Sequence, residues 1–514
     1  MAKKKILTDN GQEILPITHE SCVLDNNGVS IGSKIGNINE LATDSRTDLV
    51  SAINDILYFN NETKECIKEV LINNGIEIGE GESWESIIGK LNEEFAEKTN
   101  DLNEYENSKD RLYDLMLEGG YKVNSDMNLD DMLGLLELSG IYVNEIKQIS
   151  CSSGHTLLLK NNGEVWACGA GTNGVLGLGD VASRTLFTKV TTNINNDVKQ
   201  VACGRYHSII LKKDGSLWTC GQNSFGQLGL GTKDSNAHTT FQQVTTNINN
   251  DVKKIACGYG THTVILKNDG SVWVCGDNQY GQLGLGVANT TVITTFTKVT
   301  TNINNDVKDV YCGFNYTFIL KNDGSIWSCG GNAYGQLGLG NTTTKTTFTK
   351  VTTNVNNDVK QIACGDYHTI ILKNDGSVWG TGVNSSGMLG LGNTSTINKF
   401  TKATTNVNND VKYVACSGYS THIIKNDGSL WCCGYSVNGE LGIGSVSGNK
   451  NTFTQVTTNI NNDVKEIYCG IFFNLIIKED GSIWGCGLNT SGMLGLGTTT
   501  SINTYAQVPK GFSY

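Results

Sequence analysis

Proline is nearly missing from this chain of 514 residues: only Pro16 and Pro509 occur. That scarcity excludes a Pro-rich linker or a polyproline architecture. Long apolar runs are missing too. Nothing approaches the roughly 20 consecutive apolar residues of a spanning helix, so no membrane insertion is expected. The basic tip Met1-Ala-Lys-Lys-Lys is not followed by the apolar stretch of a secretory signal, and the chain is expected to be made and folded in a cytoplasm. What is plentiful is glycine, at 61 residues. With so little proline, it points to many tight turns between paired strands. A chain of this length exceeds one ordinary core, so several domains or a repeat array are expected.

The net charge of −11 is unevenly spread. Residues 1–147 carry 13 Lys/Arg against 29 Asp/Glu, and the remainder 26 against 21. The acidic part argues against nucleic-acid binding, and a small positive balance over so large a remainder does not read as a polyphosphate-binding surface. The change in composition near residue 144 marks a boundary.

Beyond it the sequence repeats. Glycines of Asx-Gly turns recur at Gly163, Gly215, Gly270, Gly324, Gly376, Gly428 and Gly481, spaced by 52 to 55 residues. Each is followed three positions later by a tryptophan, from Trp166 to Trp484. In the fifth unit, Asp358-Val-Lys-Gln-Ile-Ala-Cys-Gly, His368-Thr-Ile-Ile-Leu-Lys, Ser377-Val-Trp and Phe400-Thr-Lys read as short strands. Asn374-Asp-Gly between two apolar runs predicts a hairpin with positive φ angles. Four strands in about 50 residues, seven times, predict a mainly β fold: a seven-bladed β-propeller over 144–514 with four-stranded blades. A helical solenoid would need a 3.6-residue apolar period that these units lack.

These residues carry a resemblance. Ala363-Cys-Gly-Asp-Tyr-His-Thr, Asn374-Asp-Gly-Ser-Val-Trp and Gly387-Met-Leu-Gly-Leu-Gly resemble the regulator-of-chromosome-condensation repeat. So does Ala202-Cys-Gly-Arg-Tyr-His-Ser with Asn223-Ser-Phe-Gly-Gln-Leu-Gly-Leu-Gly. The family includes an exchange factor for a small GTPase and a bacterial inhibitor of β-lactamase. In the exchange factor an Asp just after the Cys-Gly acts on the GTPase, and Asp366 is the matching residue. Arg205, Phe314 and Ile471 stand there in other units, and no inserted wedge is visible, so exchange activity is not expected.

Sixteen cysteines suggest disulfides or metal at first sight. Seven follow the first strand of their unit (Cys151, Cys203, Cys257, Cys312, Cys364, Cys416, Cys469) and six follow the tryptophan (Cys168, Cys220, Cys275, Cys329, Cys433, Cys486). Thr381 replaces the remaining one and cannot complete a disulfide. The spacing within a unit does not fit a zinc knuckle, so buried packing thiols are expected, with no metal and no cofactor. His155, His207, His262, His368 and His422 also recur, but Tyr316 and Phe473 take their place in two units. A catalytic residue would be singular, so these read as packing groups. No nucleophile elbow, phosphate loop or acid pair stands out, and no catalytic residue and no enzyme are expected.

What differs between units is the connection after Cys-Gly. It carries Arg205, Tyr206, Tyr259, Phe314, Asn315, Asp366, Tyr367, Tyr419 and Phe472, which become candidate receptor-binding residues on one face of the ring. The alternative is that these aromatics pack between blades. The Thr-Thr-Asn-Ile/Val-Asn-Asn-Asp-Val-Lys stretch, nearly identical in six copies, reads as a structural connector.

The N-terminal region divides into 1–40 and a helical part, 41–143. Its Pro16-Ile-Thr-His element resembles the opening of bacteriophage tail-fibre and baseplate proteins. Apolar positions Ile31, Ile35, Ile38, Ala42, Ser45, Leu49, Ala52, Ile56 and Phe59 alternate by four and three. That spacing suits a coiled-coil seam for self-association, a trimer being favoured, or one helix packed on a core. Two helix pairs follow, with Ser83 and Asn128 as N-caps. The resemblance implies a phage tail fibre or receptor-binding protein, located in the virion tail. Its N-terminus would attach to baseplate or tail proteins, and its propeller would bind a protein or glycan receptor on the bacterial surface. The alternative is a bacterial protein-interaction module or inhibitor of the propeller family.

Overall fold

The computed structural model describes residues 146–288, 292–446 and 448–509, together with two short strands near the N-terminus. The chain divides into two compact units, Met1–Tyr142 and Val143–Tyr514. In the first, Ile6–Leu7 pairs antiparallel with Glu13–Ile14. The expected helix pairs and the seam Ile31, Ile35, Ile38, Leu49, Ala52, Ile56 and Phe59 lie outside the described residues.

The second unit is a seven-bladed β-propeller, each blade a sheet of four antiparallel strands in chain order. Blade one is Ile146–Cys151, His155–Lys160, Val165–Gly169 and Arg184–Lys189. Blade seven is Val464–Cys469, Phe473–Lys478, Ile483–Gly487 and Ile502–Gln507. The first strand of each blade is innermost, because first strands of successive blades lie side by side around the axis. Gln148 spans one such gap, its side chain bonding both the N–H and the C=O of Val201 at 3.1 Å. The ring closes with Val464–Cys469 beside Ile146–Cys151, and the Ile471 N–H donates to the Ser152 carbonyl at 3.3 Å. No strand is exchanged at the closure.

Local chemistry explains the repeated residues. The Asn374-Asp375-Gly376 turn takes a positive φ at Gly376 alone, +78°, so it is a type I turn ending in a left-handed glycine rather than a turn with several positive φ values. Asp375 Oδ1 accepts the Ser377 N–H at 2.9 Å, and Ser377 Oγ accepts the Trp379 indole N–H at 2.8 Å. On the Trp379 ring rests the ammonium of Lys373, 4.5 Å from the centroid, and that ammonium also meets Asp358 at 3.0 Å. The same Lys–Trp–Asp stack recurs in blades two to seven, from Lys212 with Trp218 and Asp197 to Lys478 with Trp484 and Asp463. Each of these lysines is buried yet paired, as burial of a charge requires.

The near-identical connectors are structural. Between blades one and two, Asn193 and Asn196 adopt left-handed φ of 61° and 56°, a conformation asparagine tolerates better than most residues. The Asn193 amide donates to the Phe241 carbonyl on the next blade's outer strand at 2.8 Å, Ile194 is buried, and Asp197 reaches Lys212. This set repeats as Asn354 on Phe400 and Asn459 on Tyr505.

The core is not central. It is divided into apolar layers between neighbouring blades, such as Leu157, Leu159 and Val165 of blade one with Val201, Ile210 and Phe241 of blade two. The closing layer joins Phe473, Leu475 and Leu494 to Ile149, Leu158 and Phe187. In the Leu-Gly-Leu-Gly turn the two glycines serve different ends. A Cβ on Gly177 (φ +68°) would lie 2.4 Å from the Phe241 ring of the next blade, whereas one on Gly179 (φ +92°) would meet nothing within 4 Å. Gly179→Ala therefore adds backbone strain alone, about 1 kcal/mol. Gly177→Ala also overpacks the seam and should cost roughly 3 kcal/mol. Urea unfolding of the two variants checks this; equal losses would contradict the packing role of Gly177.

Candidate functional site

Strand direction alternates within a blade, so the loop after the first strand and the loop after the third emerge on the same face. The Asx-Gly turns and the connectors occupy the other face. All nine residues expected from the first-strand loops therefore gather round one mouth of the ring. Tyr259 lies across it, its hydroxyl donating to the Cys469 carbonyl at 2.7 Å and the Cys416 carbonyl at 3.3 Å. It closes the channel and is itself buried.

Above this plug the aromatics form two groups. Phe314 and Tyr334 meet Tyr367 with ring centroids 5.7 and 5.4 Å apart. Tyr419 stacks on Phe472 at 5.6 Å, and Tyr435 leans on both. The Arg205 guanidinium sits over Tyr206 at 5.1 Å and reaches Phe314, two blades on, at 5.4 Å. Asn315 is half-buried, its carbonyl accepting the Gly331 N–H. Packing and display are thus combined: Tyr259 is structural, while Tyr206, Phe314, Tyr367, Tyr419 and Phe472 are half-buried with part of each ring at the surface.

The expectation missed the third-strand loops. Tyr334 and Tyr435 come from them, as do Phe225 and Tyr280, which are 39% and 45% exposed. Their signal was present: an aromatic directly before the Gly-Gln of units two, three and four.

Asp366 is the one acid among the nine first-strand-loop residues. Its carboxyl is 6% exposed and packs against Gly418. Burial raises its pKa to about 6, against the opposing pull of the Arg205 charge and the Tyr419 hydroxyl. Its Oδ1 and the Arg205 Nε have no hydrogen-bond partner.

The recurring histidines are seam bolts. His155, His207, His262 and His368 meet a Ser or Thr hydroxyl of the next blade through Nε2, at 2.9 to 3.2 Å. Each hydroxyl donates onward to a carbonyl in the histidine's own blade, as Ser208 does to Val175 and Thr421 to Met388. The hydroxyl must therefore accept from the ring, which fixes the Nε2–H neutral tautomer. Burial lowers these histidines to about 3 or 4. The described cysteines are free, and burial raises their thiols. Glu440, where units two, three and four have Gln, is raised to about 7 by burial.

The chain carries RCC1-like repeats: residues 136–356 match the RCC1-like domain, and 359–387, 375–424 and 464–492 match the regulator of chromosome condensation (RCC1) repeat. It is 31% identical over 267 residues to the ultraviolet-B receptor UVR8 of Arabidopsis thaliana, covering 52% of this chain and 59% of that protein. It is 35% identical over 225 residues to the human probable E3 ubiquitin-protein ligase HERC6, 43% of this chain but 22% of that one. A bovine secretion-regulating guanine nucleotide exchange factor is 35% identical over 174 residues, 34% of this chain and 37% of that protein. Among solved structures, human WBSCR16 superposes with a TM-score of 0.60 at 21% identity, covering 68% of this chain and 94% of that one. Yeast RCC1 (Prp20), solved bound to Kap60, gives 0.58 at 22%, covering 65% and 82%. At such identities the superpositions establish the fold alone.

These relatives correct the functional expectation. The phage tail fibre, its baseplate and bacterial-receptor partners and its virion-tail location do not hold, because the sequence similarity runs to an ultraviolet-B receptor of a plant and to a ligase and an exchange factor of mammals. That expectation took a resemblance in the first 140 residues and gave its function to the propeller. No helix among the described residues is long and apolar enough to cross a membrane.

The buried histidines set an acid limit. Their folded pKa values lie below the ordinary 6.5, so the unfolded chain binds more protons as pH falls from about 6.5 toward 4. Asp366 and Glu440, raised in the fold, oppose this with fewer groups. Stability should fall steadily over that window, read as the urea midpoint against pH. His368→Gln, which keeps a donor without the titration, should flatten the slope; an unchanged slope would remove the histidines as its cause.

Proposed function

We propose that this ring of RCC1-like repeats is a protein-binding module that takes its partner on the aromatic face around Arg205 and Asp366. The observation carrying this reading is the contrast between the faces. One repeats the same connector six times and hides its Lys–Trp–Asp stacks. The other differs from blade to blade and displays Phe225, Tyr280 and Tyr334 beside half-buried tyrosines and an arginine. Tyrosine and arginine held by neighbouring rings lose little side-chain entropy on association, which is why they dominate binding hot spots. Protein partners are also what solved structures of the yeast relative describe: Kap60, Gsp1p and histones.

The matched stretch spans 59% of the plant receptor and 22% of the human ligase, so what carries over is recognition of a protein, with binding rather than catalysis as the role. Asp366 supports recognition in the same way: a carboxyl buried against Gly418 shapes the mouth.

A photo-crosslinking residue placed at Tyr334 should join the chain to a discrete protein of its native cell, whereas one at Asn322 on the opposite face should not. Tyr334→Ala with Tyr367→Ala should then weaken that partner's affinity by roughly a hundredfold, two hot-spot losses. Equal labelling from both positions, or unchanged affinity, would refute the assignment of this face.

A further inference from the structure

The repeated residues of the propeller have visible partners, with one exception. The second residue of every innermost strand is lysine: Lys147, Lys199, Lys253, Lys308, Lys360 and Lys465, with Lys412 the seventh. Each falls at a β-bulge, where the pairing slips by one residue, as between Val198 and Gln200 or between Val307 and Asp309. A bulged residue is left out of the cross-strand pairing of the ladder. Lys412 stands 4.0 Å from Glu479; the other six make no hydrogen bond or ion pair with the described residues and are exposed. The lysines of the second strands differ in every respect, being buried, stacked and paired.

Their position concentrates charge. They sit on the strands nearest the axis, at the ends beside the connectors, opposite the Tyr259 plug. Between Lys308 and Lys360 lies a cavity of about 260 Å³, lined also by Asn322, Asp323, Asn357 and Asn374. Lysine at a bulge also blunts an edge strand, and the inner strand is the edge of its blade. Here all seven are lysine, while the very next residue varies as Gln148, Gln200, Lys254, Asp309, Gln361, Tyr413 and Glu466. Exposed turn carboxylates such as Asp214, Asp323 and Asp427 lie around the ring. They disfavour a duplex or a membrane laid flat across the face and leave a compact anion on the axis as the fitting ligand.

We propose that this lysine ring is a binding site for a compact polyphosphate, of the inositol polyphosphate class, entering the channel from the connector face. The small positive balance of residues 148–514 conceals it, because a net charge averages the ring with the carboxylates around it. The site is independent of the aromatic face.

Calorimetry of the full chain with inositol hexakisphosphate tests it. One molecule should bind per chain, with affinity falling as salt rises. The triple variant Lys199→Gln, Lys308→Gln, Lys360→Gln should weaken binding roughly tenfold with an unchanged melting temperature, since these exposed side chains make no hydrogen bond or ion pair with the described residues. The matching Lys→Arg variant should retain binding, and Lys298→Gln with Lys402→Gln on outer strands should have no effect. No binding at millimolar ligand, several molecules per chain insensitive to the triple variant, or tighter binding of a poly-glutamate peptide would each overturn the proposal.

Discussion

A four-stranded sheet has two faces and cannot cover either by itself. Among the described residues of the propeller, the apolar faces of each blade are covered by its neighbours, so the core lies at the seams. Much else follows from that constraint. Because the seams hold the apolar core, they also hold the polar ties that fix their register: the histidine–hydroxyl–carbonyl relay, the connector asparagines, and the glutamines between inner strands. Each tie joins two neighbouring blades, and the histidine relay does so in the buried seam, so these bonds select one alignment of the blades.

The architecture was legible in the sequence because intrablade chemistry lies within one period. The Asx-Gly turn, the serine and the tryptophan are close neighbours, and their hydrogen bonds confirm what their spacing implied. Seam chemistry was less legible. His155 and Ser208 are 53 residues apart, and His207 and Thr263 are 56 apart. Read within a unit, the histidine has no partner; read one period later, it does. The structural reading of the connectors was sound, while the reason for asparagine at two of its positions needed the backbone: both are left-handed.

The mouth of the ring was partly legible. Nine residues of the first-strand loops meet there, yet Tyr334 and Tyr435, which touch them, came from loops that seemed unrelated until strand direction put both sets on one face. Exposure could not be read at all. Tyr259 and Tyr367 occupy similar loops, but one reaches across the axis to two carbonyls while the other stays at the rim. Function was the least legible level, since the motifs of the first 140 residues and those of the repeats pointed to different classes of protein.

The contiguity of every blade also bears on how the chain comes off the ribosome. Blade one is completed early, but one of its apolar faces, with Ile149, Leu158 and Phe187, is covered by Phe473 and Leu475 of the last blade. At translation speeds of roughly 5–20 residues per second, that face waits on the order of tens of seconds for its neighbour. Throughout that interval the nascent chain presents a growing arc with a sticky leading sheet. For this protein, the demand on chaperones is set less by length than by the geometry of a circle that only its last segment can complete.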